Sequence, residues 1–202
     1  MAEGRDRTRG WWEEYRGLPP TSFPDLSELN HHAPFRRDAA ILYVPGLLQT
    51  EGCARAVVSG RAPELAEGEL GTRDRHRTAG QGIAAPYDLV IHESALRIRV
   101  GDRAGSRARL DKLLGLPEAD DITMRVIPFD LDGFARAGST MTYAGGPVAK
   151  LDTVVRDVPH GSALIDSEAQ LGAFRTRFRE LEAVALDPQR SRDFINRPAK
   201  EL

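Results

Sequence analysis

The sequence predicts an α+β fold, a small mixed sheet flanked by helices, with a helical N-terminal arm and C-terminal helices. Two runs, Tyr87 to His92 and Ile122 to Ile127, carry strand-forming residues, the second with clean alternation. Between them, Arg107 to Leu114 places Leu110, Leu113 and Leu114 on one helical side, and further on Leu171, Phe174, Phe178, Leu181 and Ala185 form an apolar stripe. Half-buried strands need a layer over their apolar face, so helices packed against one sheet are the simplest arrangement of these pieces.

Residues 1–10 read as a flexible lead-in and 11–202 as a single domain. Trp11, Tyr15 and Leu18 share a helical face that Pro19-Pro20 ends, and a second helix is expected from Asp25 to His32, its first turn acidic. Ile41 to Val44 reads as a buried strand or extended segment stopped by Pro45-Gly46, after which Thr50 caps a helix running to about Ser59. The charged stretch 64–80 is expected to be a solvent-facing helix anchored by Leu65 and Leu70. Ser139 to Tyr143, Thr153 to Val155 and Ser162 to Ile165 complete five short strands. Ser167 to Gln170 fits a capping box, and Asp187-Pro188 fits the start of a final helix.

At 202 residues the chain is long enough to bury roughly two thirds of its unfolded surface. Its 28 basic and 30 acidic residues leave a formal charge of −2, so no whole-chain field draws it to nucleic acid or an anionic membrane. The single Cys53 excludes an internal disulfide, and there is no signal-like or 18-residue apolar run, so a cytoplasmic protein is expected. No cofactor or metal is expected. Gly80-Gln81-Gly82, Gly101-Asp102 and Gly145-Gly146-Pro147 lack the lysine of a phosphate loop and the order of a dinucleotide fold, and His31-His32 has no third ligand at suitable spacing.

Four segments carry a resemblance: Trp11 to Arg16, Val44 to Glu51 with Ala54-Arg55-Ala56 behind it, His92 to Arg97, and Arg125 to Phe129. Taken in this order, they make the chain resemble the C-terminal domain of uncharacterised function that follows a lambda-repressor-like helix-turn-helix in antitoxin-like transcriptional regulators of high-GC Gram-positive bacteria. The resemblance implies a ligand-sensing or protein-interaction domain acting with a small molecule or a small protein partner. Only ten residues precede Trp11, too few for a DNA-reading helix pair, so direct nucleic-acid binding is not expected.

Glu93, beside His92 at a strand end, is the first choice for a functional polar residue. A buried carboxylate and an imidazole suit proton transfer, which makes a cofactor-independent isomerase, cyclase or lyase the alternative to a sensor. The structural role open to Glu93 is to cap or hydrogen-bond the Ser94-Ala95 turn. Gln49 and Glu51 follow a turn at a helix start where free backbone donors gather, and Tyr43 suits a pocket wall. Phe129 and Phe134 offer apolar contact from a segment, 129–138, that reads either as a pocket cover or as a surface loop. Cys53 suits a buried alanine-like position better than a catalytic thiolate, and Arg36-Arg37 reads as solvated surface. Adjacent Trp11 and Trp12 cannot share one stripe. With Tyr15 they form the partner-binding candidate, one tryptophan packing on the domain and the other meeting a helix, a ligand or the second subunit of a homodimer.

Overall fold

A computed structural model describes residues 10–15, 22–61, 67–79, 86–116, 121–131, 140–158 and 161–202. After a 3-10 turn at Trp11–Tyr15 come helix α1 (Ser22–His32), strand β1 (Phe35–Ala40), a 3-10 turn at Gly46–Leu48, α2 (Glu51–Arg61), α3 (Glu67–Ala79), β2 (Tyr87–His92), α4 (Glu93–Arg97), α5 (Arg103–Leu114) and β3 (Ile122–Ile127). The remainder is β4 (Met141–Gly145), β5 (Thr153–Val158), β6 (Gly161–Ile165), α6 (Glu168–Val184) and α7 (Pro188–Glu201). The lead-in at 1–9, Leu18 with Pro19-Pro20, Leu65, Gly80 to Gly82, Phe134 and Ser139 lie outside the described residues.

The sheet runs β3-β2-β1-β4-β5-β6. The half β1–β2–β3 is parallel and the half β4–β5–β6 antiparallel, so the fold is the α+β mixed sheet expected. Parallel neighbours need long crossovers, and α2 with α3, then α4 with α5, supply them. One face carries Tyr87, Leu89, Ile91, Met124 and Val126 against Leu110 and Leu113 of α5 and Ile195 of α7. The other carries Ala39, Val90, Met141, Tyr143 and Val154 against Leu171, Phe178 and Leu181 of α6. Register explains the division, since Leu89 pairs with Met124 and Ile91 with Val126, sending alternate residues to opposite faces.

Two expectations need correction. A strand forms at Phe35–Ala40, ahead of the Ile41 to Val44 stretch, and it lies at the sheet centre, adding among the described residues a sixth strand to the five expected from Tyr87 onward. Leu42 and Tyr43 are instead exposed in a bend, with only Val44 buried. The cause is a buried polar group: Arg36 is not solvated surface but 9% exposed, and its Nε and guanidinium reach Asp38 at 3.1–3.3 Å. Burial holds the Tyr87 hydroxyl protonated far above its usual range, with the Asp38 charge adding to the effect, and it donates to Asp38 at 2.5 Å. Polar residues that look unfit for a central strand thus pair with one another inside it, the Arg36 Nη1 alone staying buried without a hydrogen-bond partner among them. At the second correction, Ser167 does not close a capping box, because its hydroxyl donates to the Gln170 side chain at 2.7 Å. Asp187 does cap α7, accepting from the Arg190 amide at 2.8 Å with Pro188 in the first turn.

Candidate functional site

The carboxyl ends of the parallel strands gather three of the sequence-selected residues. His92 ends β2 and N-caps α4, its Nδ1 accepting from the Ser94 amide at 3.3 Å. Burial lowers its pKa, with the Glu93 charge opposing, so the neutral ring that accepts is the form favoured at pH 7. The Ser94 hydroxyl reaches back to the Ile41 carbonyl, tying α4 to the end of β1. Glu93 is 5% exposed, and it does not cap the turn; that role falls to His92. One Glu93 oxygen takes the Arg97 Nε and the other accepts the Phe129 amide at 2.8 Å, while Arg97 also reaches Glu201 at 3.1 Å. Glu93 therefore clamps α4 to the exit of β3 and, through Arg97, to α7.

Phe129 is exposed and sets its ring edge-on to His92 at 5.3 Å, and Tyr43 is exposed in the bend after β1. Gln49 is elsewhere: it is 2% exposed, its amide donates to the Val44 carbonyl at 2.8 Å, and its side-chain oxygen accepts from Arg77 at 2.9 Å. Glu51 stands exposed in the first turn of α2.

The tryptophan segment is docked. Trp12 is 1% exposed and packs on His31 at 4.9 Å and His32 at 5.6 Å. Trp11 is half-buried and lies 5.2 Å from His76, which Tyr15 also meets at 4.8 Å. His76 is buried and within 3.1 Å of the Ser27 hydroxyl; burial, then Arg77, lowers its pKa. The histidines of α1 and α3, which the sequence leaves scattered, thus form the seat of the N-terminal segment.

Next to that seat opens a cleft of about 230 Å³. One wall is Leu29, His32 and Pro34, and the other is Gly146, Val148 and Leu151. Its rim is apolar and open, with Val148 54% and Leu151 76% exposed. A buried network holds the second wall. Asp152 accepts from the Tyr143 hydroxyl at 2.5 Å and the Gly146 amide at 3.0 Å, and Arg175 of α6 donates to Tyr143 at 2.6 Å. Burial, reinforced by Asp152, raises the Tyr143 pKa and keeps it a donor. Gly145 leaves room for Phe35 here, since a Cβ would stand 2.3 Å from its ring and the ring would have to shift. The sequence reading weighed His32 only as a metal ligand and passed over Val148, Leu151, Asp152 and Arg175; the available signal was two large apolar residues set in a Gly-Gly-Pro loop.

Among the described residues no helix is long and apolar enough to cross a membrane. No curated protein and no solved structure matches the chain. A family model does, over residues 23–197, a span that takes in all six strands of the sheet, and the protein accordingly belongs to the family described as a domain of unknown function, DUF5753.

Proposed function

We propose that this is the sensing half of a transcriptional regulator, and that a small, mainly apolar molecule seated in the cleft of α1 and the β4–β5 loop is what it senses. The observation that carries the reading is the position of His32, which lines the cleft and also packs on Trp12. A ligand pressing on that wall acts on the N-terminal segment, the place where the regulators this chain resembles carry their DNA-reading domain. A preformed recess with an apolar rim suits binding, because its second wall is already fixed by Asp152 and Arg175 and needs little ordering. Proton-transfer chemistry at Glu93 has less support, since both carboxylate oxygens already have partners.

Native mass spectrometry of the protein taken gently from its own cytoplasm tests this. The expected result is a discrete non-covalent mass above the 22.2 kDa chain that is lost in Leu151→Asp. A ligand-free chain carrying a second polypeptide would replace the small molecule with a protein partner. Retention of the same molecule by Leu151→Asp and by Val148→Asp would remove the cleft from the account.

A further inference from the structure

Arg109 of α5 is 1% exposed, and a guanidinium so buried needs a counter-charge or a full set of acceptors. It has neither. One terminal nitrogen donates to the Leu96 and Ile98 carbonyls at 2.9 and 3.0 Å, while Nε and the other terminal nitrogen are buried without partners. Among the described residues the titratable group facing it is the thiol of Cys53, 2% exposed in the first turn of α2. Arg77 and Lys112 add positive charge on the same side, anchored at Gln49 through its side-chain oxygen and its carbonyl. In the resting protein burial keeps the thiol protonated, above its usual pKa, against the pull of these cations.

We propose that Cys53 is an oxidation site, at which a hydroperoxide converts the thiol to a sulfenate that Arg109 receives on its two unused nitrogens. The sulfur attacks one peroxide oxygen and the S–O bond forms as the O–O bond breaks; the thiol proton leaves with the alcohol, or with water when the oxidant is hydrogen peroxide, and the sulfenic acid so formed gives its own proton to solvent to leave the sulfenate. Sulfur loses two electrons and the peroxide gains them. A sulfenate normally condenses with a second thiol, but this chain has one cysteine and its burial keeps foreign thiols away, so the oxidised form persists. It also supplies the missing anion, joining α2 to α5 by a charge-assisted contact. Reaction is slow, limited by entry, and the product is long-lived.

The full chain is treated with hydrogen peroxide, and the oxygen added is located by peptide mass mapping. One oxygen atom on Cys53 in the folded protein, absent in Cys53→Ser, is expected, together with a higher melting temperature for the oxidised than for the reduced wild type. Arg109→Lys, which keeps the charge but loses the planar donor set, is expected to shorten the life of the single-oxygen form about tenfold, the scale of one charge-assisted hydrogen bond. Failure of the folded protein to take up oxygen at peroxide levels that oxidise the unfolded chain overturns the proposal. A lower melting temperature on oxidation overturns it too, and that measurement needs only wild type should Arg109→Lys not fold.

Discussion

Replacing Asp38 by asparagine tests whether the centre of the sheet depends on a buried charge. Asp38 is 1% exposed, with Arg36 across it at 3.1 Å and Tyr87 at 2.5 Å, so the substitution keeps the shape and leaves Arg36 cationic and uncompensated between β2 and β4. Removing one partner of a buried pair costs about 3–5 kcal/mol. For a chain of this length, at about 2–4 °C per kcal/mol, the melting temperature falls by roughly 6–20 °C. The control replaces all three members by apolar residues of similar volume, Arg36→Met, Asp38→Leu and Tyr87→Phe, and is expected near wild-type stability because it strands no charge. Scanning calorimetry and urea unfolding at pH 7 read both variants. An Asp38→Asn protein within about 1 kcal/mol of wild type would mean that Arg36 has other compensation, and the account of β1 would fall.

The clamp predicts that Glu93→Gln lowers urea stability by about 1–2 kcal/mol, the loss of charge on the Phe129 contact, with little from the Arg97 pair because Arg97 is 41% exposed. An unchanged urea midpoint would show the clamp to be idle. His76 has a folded pKa below the ordinary histidine value of 6.5, so its contribution is full above 6.5 and is lost as pH falls from there toward the depressed folded value. Unfolding free energies at pH 7 and pH 5 should therefore differ more in wild type than in His76→Gln, and equal differences would refute the assignment. Gly145→Ala forces a methyl into the Phe35 ring and should cost about 1–3 kcal/mol by urea unfolding, whereas a neutral outcome would mean the ring moves freely.

Where side chains alternate, the sequence was a good guide. β2 and β3 fall at Tyr87–His92 and Ile122–Ile127 as expected, and α7 starts where Asp187-Pro188 says it should. β1 was illegible because Phe-Arg-Arg-Asp has no apolar face to detect; it becomes a strand only when Tyr87, 49 residues beyond Asp38, supplies the third member of its polar group. The bend after it was mistaken for the strand because Ile41 to Val44 has the composition without the pairing. Glu93 could be singled out as a carboxylate at a strand end, but not its ties to Phe129 and Arg97, which set its role. Of the cleft only one wall left a trace, Val148 and Leu151 behind Gly145-Gly146-Pro147; the recess itself forms only when the pairing of β1 with β4 makes Leu29 and Leu151 neighbours.

The two halves of the sheet place different demands on any ligand. At the carboxyl ends of β1, β2 and β3, Glu93, His92 and Ser94 are bonded to protein groups, so a molecule arriving there has to displace hydrogen bonds that hold α4 in place. In the antiparallel half the polar groups of Tyr143, Asp152 and Arg175 bond one another, and the surface they support is apolar. Binding there removes water from Val148 and Leu151 without breaking that network, which favours the cleft energetically. Both tryptophans of the chain belong to the N-terminal segment, so intrinsic tryptophan fluorescence reports on that segment alone. A ligand that fills the cleft and moves His32 should therefore change the emission of Trp12, and one that binds at the cleft with the emission unaltered would separate binding from any signal to the N-terminal side.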